Sequence, residues 1–148
     1  MLVNVSNHPS TKAWPKNQVE AARQYGEVVD MPLPYLGPET TLEQTEAAAD
    51  EYCAKICAMK PKAVLVNGES VFVFQLVKRL LDAGQNAMCT RSQRRVVEVR
   101  LFGRMPLRTS RYRFEAFVPY GTPRKQEPDQ SCGQDEAGQG GPEQDGNA

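Results

Sequence analysis

Ala63-Val64-Leu65-Val66-Asn67-Gly68-Glu69-Ser70 is the stretch on which the fold turns. Its first four residues are apolar without alternation, as a central parallel strand buried on both faces requires. A polar loop containing a glycine follows, and then a helix-period run over residues 70–83. The same grammar recurs along the chain. Ser6-Asn7-His8-Pro9-Ser10 follows Leu2-Val3-Asn4-Val5, Pro32-Leu33-Pro34 follows Val28-Val29, and Cys89-Thr90-Arg91-Ser92 follows Asn86-Ala87-Met88. Strands alternating with helices predict a three-layer α/β fold around a parallel sheet. Ligands of such sheets bind at the carboxyl ends of the strands, where helix amino termini converge, so the polar loops mark the site before any ligand is known.

Working outward, Pro15 suits a first helical turn, and the helix it opens runs to Tyr25 with Val19, Ala22 and Tyr25 inward and Gly26 as its stop. Residues 27–31 form the second strand, and Pro32, Pro34 and Pro38 keep the next segment extended. Thr40-Thr41-Leu42-Glu43 reads as a capping box, with Thr40 as cap and Glu43 reaching back. That helix reaches about residue 59 on a stripe of Leu42, Ala49, Cys53 and Ile56. The helix over 70–83 has Val73, Leu76, Val77 and Leu80 as its main face, widened by Val71, Phe72, Phe74 and Leu81. A helix this apolar is covered twice or contributes to a dimer interface. After the fourth strand the period changes to two: Val97, Val99 and Leu101 share a face, Tyr112, Phe114, Ala116 and Val118 share another, and residues 102–110 connect them as a β-hairpin.

The chain of 148 residues, 40% apolar, suits one domain, expected over residues 1–121. Residues 122–148 are dominated by Gly, Gln, Pro, Asp and Glu and are expected to be a disordered acidic tail. The formal charge of zero conceals a split, because residues 1–121 carry 16 basic against 12 acidic side chains. Eight arginines and a single acid, Glu98, lie between Arg91 and Arg113. Arginine's planar fork suits phosphate, so this hairpin is read either as a surface for nucleic acid or an acidic protein, or as a solvated face. No apolar stretch reaches the roughly 18 residues that span a bilayer, and no signal-peptide pattern opens the chain, so a cytoplasmic protein without a membrane partner is expected.

The candidate chemistry lies in the strand-end loops. His8, the single histidine, is either a proton-transfer group or a hydrogen-bonded structural residue. In Asn67-Gly68-Glu69-Ser70 the glycine lets backbone amides approach a ligand, and Ser70 is placed to cap the following helix. Glu69 either favours the positive end of that helix or acts as a base toward a ribose hydroxyl. Thr90, Arg91, Ser92 and Arg94 supply hydroxyl and guanidinium groups where the fourth strand leaves the sheet. A strand order of 2-1-3-4 puts His8 and Glu69 at one crevice, with Arg91 one strand away. GxGxxG and GxxxxGK[ST] are absent, which argues against dinucleotide and P-loop chemistry. Cys53 and Cys57, four apart on a helix, are read as core packing and not as metal ligands, and no cofactor is expected.

Ser6-Asn7-His8-Pro9 after the first strand, Gly68-Glu69 after the third and Thr90-Arg91-Ser92 after the fourth resemble the small single-domain CRISPR-associated proteins with a CARF-like, Rossmann-like fold. The resemblance covers roughly residues 1–120. It implies a homodimer that binds a cyclic oligoadenylate second messenger across its two-fold axis, with Ser6, Asn7, Ser10, Asn67, Gly68, Ser70, Thr90, Arg91 and Arg94 as ligand contacts. It further implies metal-independent ring-nuclease cleavage through the ribose 2′-hydroxyl, with His8, Glu69 and Ser92 as catalytic groups. With no effector domain recognised, a ring nuclease and a binding module acting through partners both remain open.

Overall fold

The computed structural model describes residues 1–125. The parallel strands are β1 (Leu2–Val5), β2 (Val28–Met31), β3 (Ala63–Val66) and the start of β4 (Ala87–Val99), joined at one edge by antiparallel β5 (Leu107–Pro119). Their spatial order is β2-β1-β3-β4-β5, the doubly wound arrangement in which the chain reverses direction between β1 and β3. Every residue of β1 and β3 is buried, in keeping with their unbroken apolar character or, at Asn4, with full hydrogen bonding. Helices α3 (Leu42–Met59) and α4 (Ser70–Asp82) cover one face, packing on Val3, Val5, Val64, Val66 and Ala87. The other face, Leu2, Ala63, Leu65 and Met88, meets α2 (Lys16–Ala22) and a 3-10 turn (Arg23–Tyr25) together with Trp14 and Phe117. The result is a three-layer, Rossmann-like α/β fold.

Several local expectations shift. A short helix, α1 (Ser10–Ala13), precedes Pro15, which caps α2 instead of entering its first turn. On α2 it is Gln18 and Ala22 that are buried, while Val19 is 40% exposed. The capping box of α3 lies one residue later than expected: Thr41 accepts from the Gln44 amide at 3.2 Å and the Gln44 side chain accepts from the Thr41 amide at 3.0 Å. Leu42, at the first helical position, is accordingly solvent-facing, and Thr45 takes its place in the stripe. On α4 the buried face is Phe72, Leu76, Val77 and Leu80, with Val73 only partly covered and Phe74 64% exposed. Ser70 does not cap that helix; Glu69 does.

The largest departure is β4. It does not end near Met88 but continues as one strand to Val99, because β5 replaces β3 as its hydrogen-bonding partner. Thr90-Arg91-Ser92 therefore belongs to a strand and not to a loop. A register shift between Arg91 and Ser92 leaves Glu115 as an extra residue on β5. This bulge divides the expected face of β5. Phe114 and Tyr112 pair across from Ser92 and Arg94, whereas Ala116 and Val118 pair across from Arg91 and Cys89 on the opposite side. Of the residues expected in the tail, 122–125 are described, and the Arg124 amide donates to the Leu81 carbonyl at 2.9 Å. Residues 126–148, the rest of that expectation, lie outside the described residues.

Candidate functional site

Polar side chains tie neighbouring strands together at this end of the sheet, β1 to β2 through Asn4 and Asp30 and β3 to β4 through Asn67 and Thr90. Asn4, fully buried in β1, donates to Asp30 Oδ1 at 2.7 Å and to the His8 carbonyl at 3.0 Å. Its own Oδ1 accepts from Ser6 Oγ at 2.9 Å, and Ser6 Oγ accepts from the His8 amide at 3.1 Å. Trp14 Nε1 donates to the same His8 carbonyl at 3.1 Å. The His8 backbone is thus fixed from three directions, whereas its imidazole is exposed and makes no hydrogen bond to the described residues. Beside it, Asn67 extends the β3–β4 ladder with its side chain: Oδ1 accepts from the Thr90 amide and Nδ2 donates to Thr90 Oγ1, both at 3.2 Å.

These groups border a cavity of about 420 Å³ on the α2 face of the sheet. Ser6, His8, Asn67, Thr90 and Ser92 line it, so five of the expected site residues come together. Five lining residues were not expected at a site, Ala13 and Leu65 and, with more to offer a ligand, Trp14, Tyr112 and Gln18. Gln18 is 7% exposed and its side-chain amide has no hydrogen-bond partner among the described residues, leaving it open toward the cavity. No periodic signal singled out Gln18, because Val19 beside it fits the inward stripe of α2 as well and is the more apolar of the two. Arg94 lies on the same face of β4 as Thr90 and Ser92, across from Tyr112, with Nε and one terminal nitrogen donating to Ser110 Oγ at 3.1 and 2.9 Å.

The remaining expected residues go elsewhere. Asn7, Gly68 and Glu69 line a second cavity of about 490 Å³ on the α3–α4 side, against Leu33, Leu36 and Phe72. His8 and Glu69 thus do not face one crevice, because the sheet passes between the two cavities. Glu69 accepts from the Val71 and Phe72 amides at 2.9 Å each, and these two backbone hydrogen bonds lower its carboxyl pKa. A carboxylate so held is a helix cap and a weak base. Gly68 has a packing reason for lacking a side chain: a Cβ there would lie 2.5 Å from Leu33 Cδ1. Ser10 is held by Asp30, which accepts from its amide and its hydroxyl. Ser70 borders a third, larger cleft with Val73, Phe74, Leu81 and Tyr120. Arg91 points away from Thr90 and Ser92 by strand alternation.

The cysteines of α3 behave as packing groups. Cys53 and Cys57 sulfurs lie 3.9 Å apart, and burial, reinforced by the neighbouring Cys57, pushes the Cys53 thiol up to about 11. Tyr120, whose hydroxyl donates to the Val66 carbonyl at 2.8 Å, is likewise raised to about 12 by burial and by Cys89. Among the described residues no helix is long and apolar enough to cross a membrane.

No curated protein and no solved structure matches the chain. A family model does, the uncharacterized protein MJ1673 family, and its match takes in residues 1–118 and with them every strand-end loop described above. The chain belongs to that family.

Proposed function

We propose that the cavity beside the ends of β1 and β3 and the middle of β4 binds a cyclic oligoadenylate, and that the protein is a homodimer. What supports this reading above all is the composition of that cavity at the chain-reversal point between β1 and β3. It has aromatic walls in Trp14 and Tyr112, an unpartnered amide in Gln18 and hydroxyls in Ser6, Thr90 and Ser92, and Arg94 follows two residues after Ser92 on the same face of β4, its guanidinium held by Ser110. Aromatic faces stack bases, an amide reads a base edge, and hydroxyls with arginine hold phosphate. The second support is the resemblance of the strand-end sequences set out above. For the dimer, it is the uncovered part of α4, where Val71 and Phe74 are 46% and 64% exposed and Phe74 borders the apolar cleft.

The same cavity supplies what metal-independent cleavage needs. A ribose 2′-oxygen attacks the adjacent phosphorus and gives up its proton, the P–O5′ bond breaks, and the 5′-oxygen takes a proton, leaving a 2′,3′-cyclic phosphate. His8, with a rigid backbone and a free imidazole, is placed to move one of these protons, while Ser92 and Arg94 stabilise charge on the phosphoryl oxygens. Glu69 has no part in this step, since its carboxylate caps α4 on the other side of the sheet.

Incubation with cyclic tri-, tetra- and hexa-adenylate in EDTA, followed by calorimetry and chromatography, tests the reading. Binding of one ring size is expected, weakened in Gln18→Ala. Turnover, where found, is expected to fall by about 100- to 10,000-fold in His8→Ala with binding retained. Binding without cleavage leaves a messenger-binding module, and failure of all three rings to bind removes the reading.

A further inference from the structure

Beyond Thr90 the strand β4 pairs with β5 alone, and the two strands form an arm whose residues are nearly all exposed. Alternation sorts its charges. On the face shared with Ser92, Glu98 stands across from Arg108 and Arg94 across from Tyr112. On the other face Arg95 stands directly across from Arg111, Arg113 across from Gln93, and Arg91 across from Ala116. Four exposed guanidinium groups therefore share that second face, and no ion pair joins any of them to a carboxylate among the described residues. Their one side-chain hydrogen bond is Arg95 Nε to Gln93 at 3.4 Å.

Like charges directly opposite on an antiparallel ladder are destabilising. The Arg95/Arg111 pair thus works against the arm it belongs to, and its flanking arginines add to the repulsion instead of relieving it. The missing partner is a distributed negative charge. We propose that this face of the arm binds the backbone phosphates of a nucleic acid.

Four observations favour a nucleic acid over an acidic protein surface. All four cations are arginines, whose fork matches phosphate in a bidentate way and is weakly hydrated. They are strung along the ribbon, Arg91 and Arg95 about 13 Å apart at about 3.3 Å per residue, which fits a linear polyanion better than a point charge. A two-stranded ribbon is also of the width that a duplex major groove admits, about 12 Å. At the tip Phe102 is fully exposed, an aromatic face available for stacking on a base.

The test uses the full chain and fluorescence anisotropy with two labelled probes, a single-stranded RNA and a duplex DNA of about 20 nucleotides or base pairs, from about 50 to about 200 mM salt. At least one probe is expected to bind. Arg95→Ala/Arg111→Ala should weaken that binding tenfold or more and flatten the slope of log K against log salt by about 1.4 to 1.8, the share of two phosphate contacts. A purely structural role for the pair predicts a lower melting temperature in this variant; relief of repulsion predicts an unchanged or higher one. The charge-matched variant Arg100→Ala/Arg108→Ala, on the part of the arm facing Glu98, is expected to retain affinity within about threefold. The proposal is overturned if neither probe binds, if both double variants lose affinity equally, or if poly-glutamate of matched charge binds as well as the nucleic acids. The last result assigns the face to an acidic protein. The outcome is independent of the strand-end cavity, whose occupant is read with cyclic oligoadenylate and not with these probes.

Discussion

Glu69 illustrates how one residue type supports two chemistries until its neighbours are known. A glutamate just after a parallel strand reads equally as a base or as a helix cap, and only the two amide contacts to Val71 and Phe72 decide. Because these contacts lower its pKa, the cap is in place above the ordinary glutamate value of about 4.3 and is lost as pH falls through the depressed folded value. Glu69→Gln is therefore expected to melt at a lower temperature than the parent at pH 7, with the difference shrinking as the pH drops below the glutamate range. Melting curves at neutral and acid pH check this, and a pH-independent difference would show that the carboxylate charge is not what holds the helix end. Gln18 teaches the reverse lesson. Its burial was missed because α2 is rotated so that Val19 faces solvent, and a lone glutamine beside a valine carries no periodic signal of which of the two turns inward.

At the scale of elements, what the sequence made legible was what period and punctuation encode: four parallel strands, the helix stops at Gly26 and Gly84, and the hairpin, whereas the strand order was an assumption that only the structure supplies. The extent of β4 was hidden because residues 89–92 are polar, and polar strand-end residues look the same whether a strand stops or merely changes neighbours. The bulge at Glu115 was hidden too, since one extra residue inverts every side chain beyond it without altering composition. The packing face of α4 was misjudged by one position, with a measurable consequence. Phe72 is fully buried and meets Tyr52 edge-on at 5.4 Å, whereas Phe74 is largely exposed. Phe72→Ala is expected to destabilise the fold by about 3–5 kcal/mol. Phe74→Ala should stay within about 0.5 kcal/mol in the monomer. Denaturant titration of both variants separates them, and equal losses would place the helix in the wrong rotation.

For the whole molecule, the exposed side of α4 leads to a prediction about association. If Val71, Phe74 and the adjoining cleft form the dimer contact, sedimentation should find the parent chain as a dimer and Phe74→Glu as a folded monomer, while a monomeric parent would remove the dimer from the proposed function. His8 and Glu69, expected at one crevice with Arg91 a strand away, line different cavities, because a parallel sheet has two faces and loop sequences do not say on which face each side chain falls. β4 begins in the core, clasps Asn67 through Thr90, and runs without a break into the arm. An arm attached by a loop swings freely, but one that continues a core strand behaves as a lever. Thr90 is thus the point at which one continuous strand belongs both to the wall of the cavity and to the root of the arm.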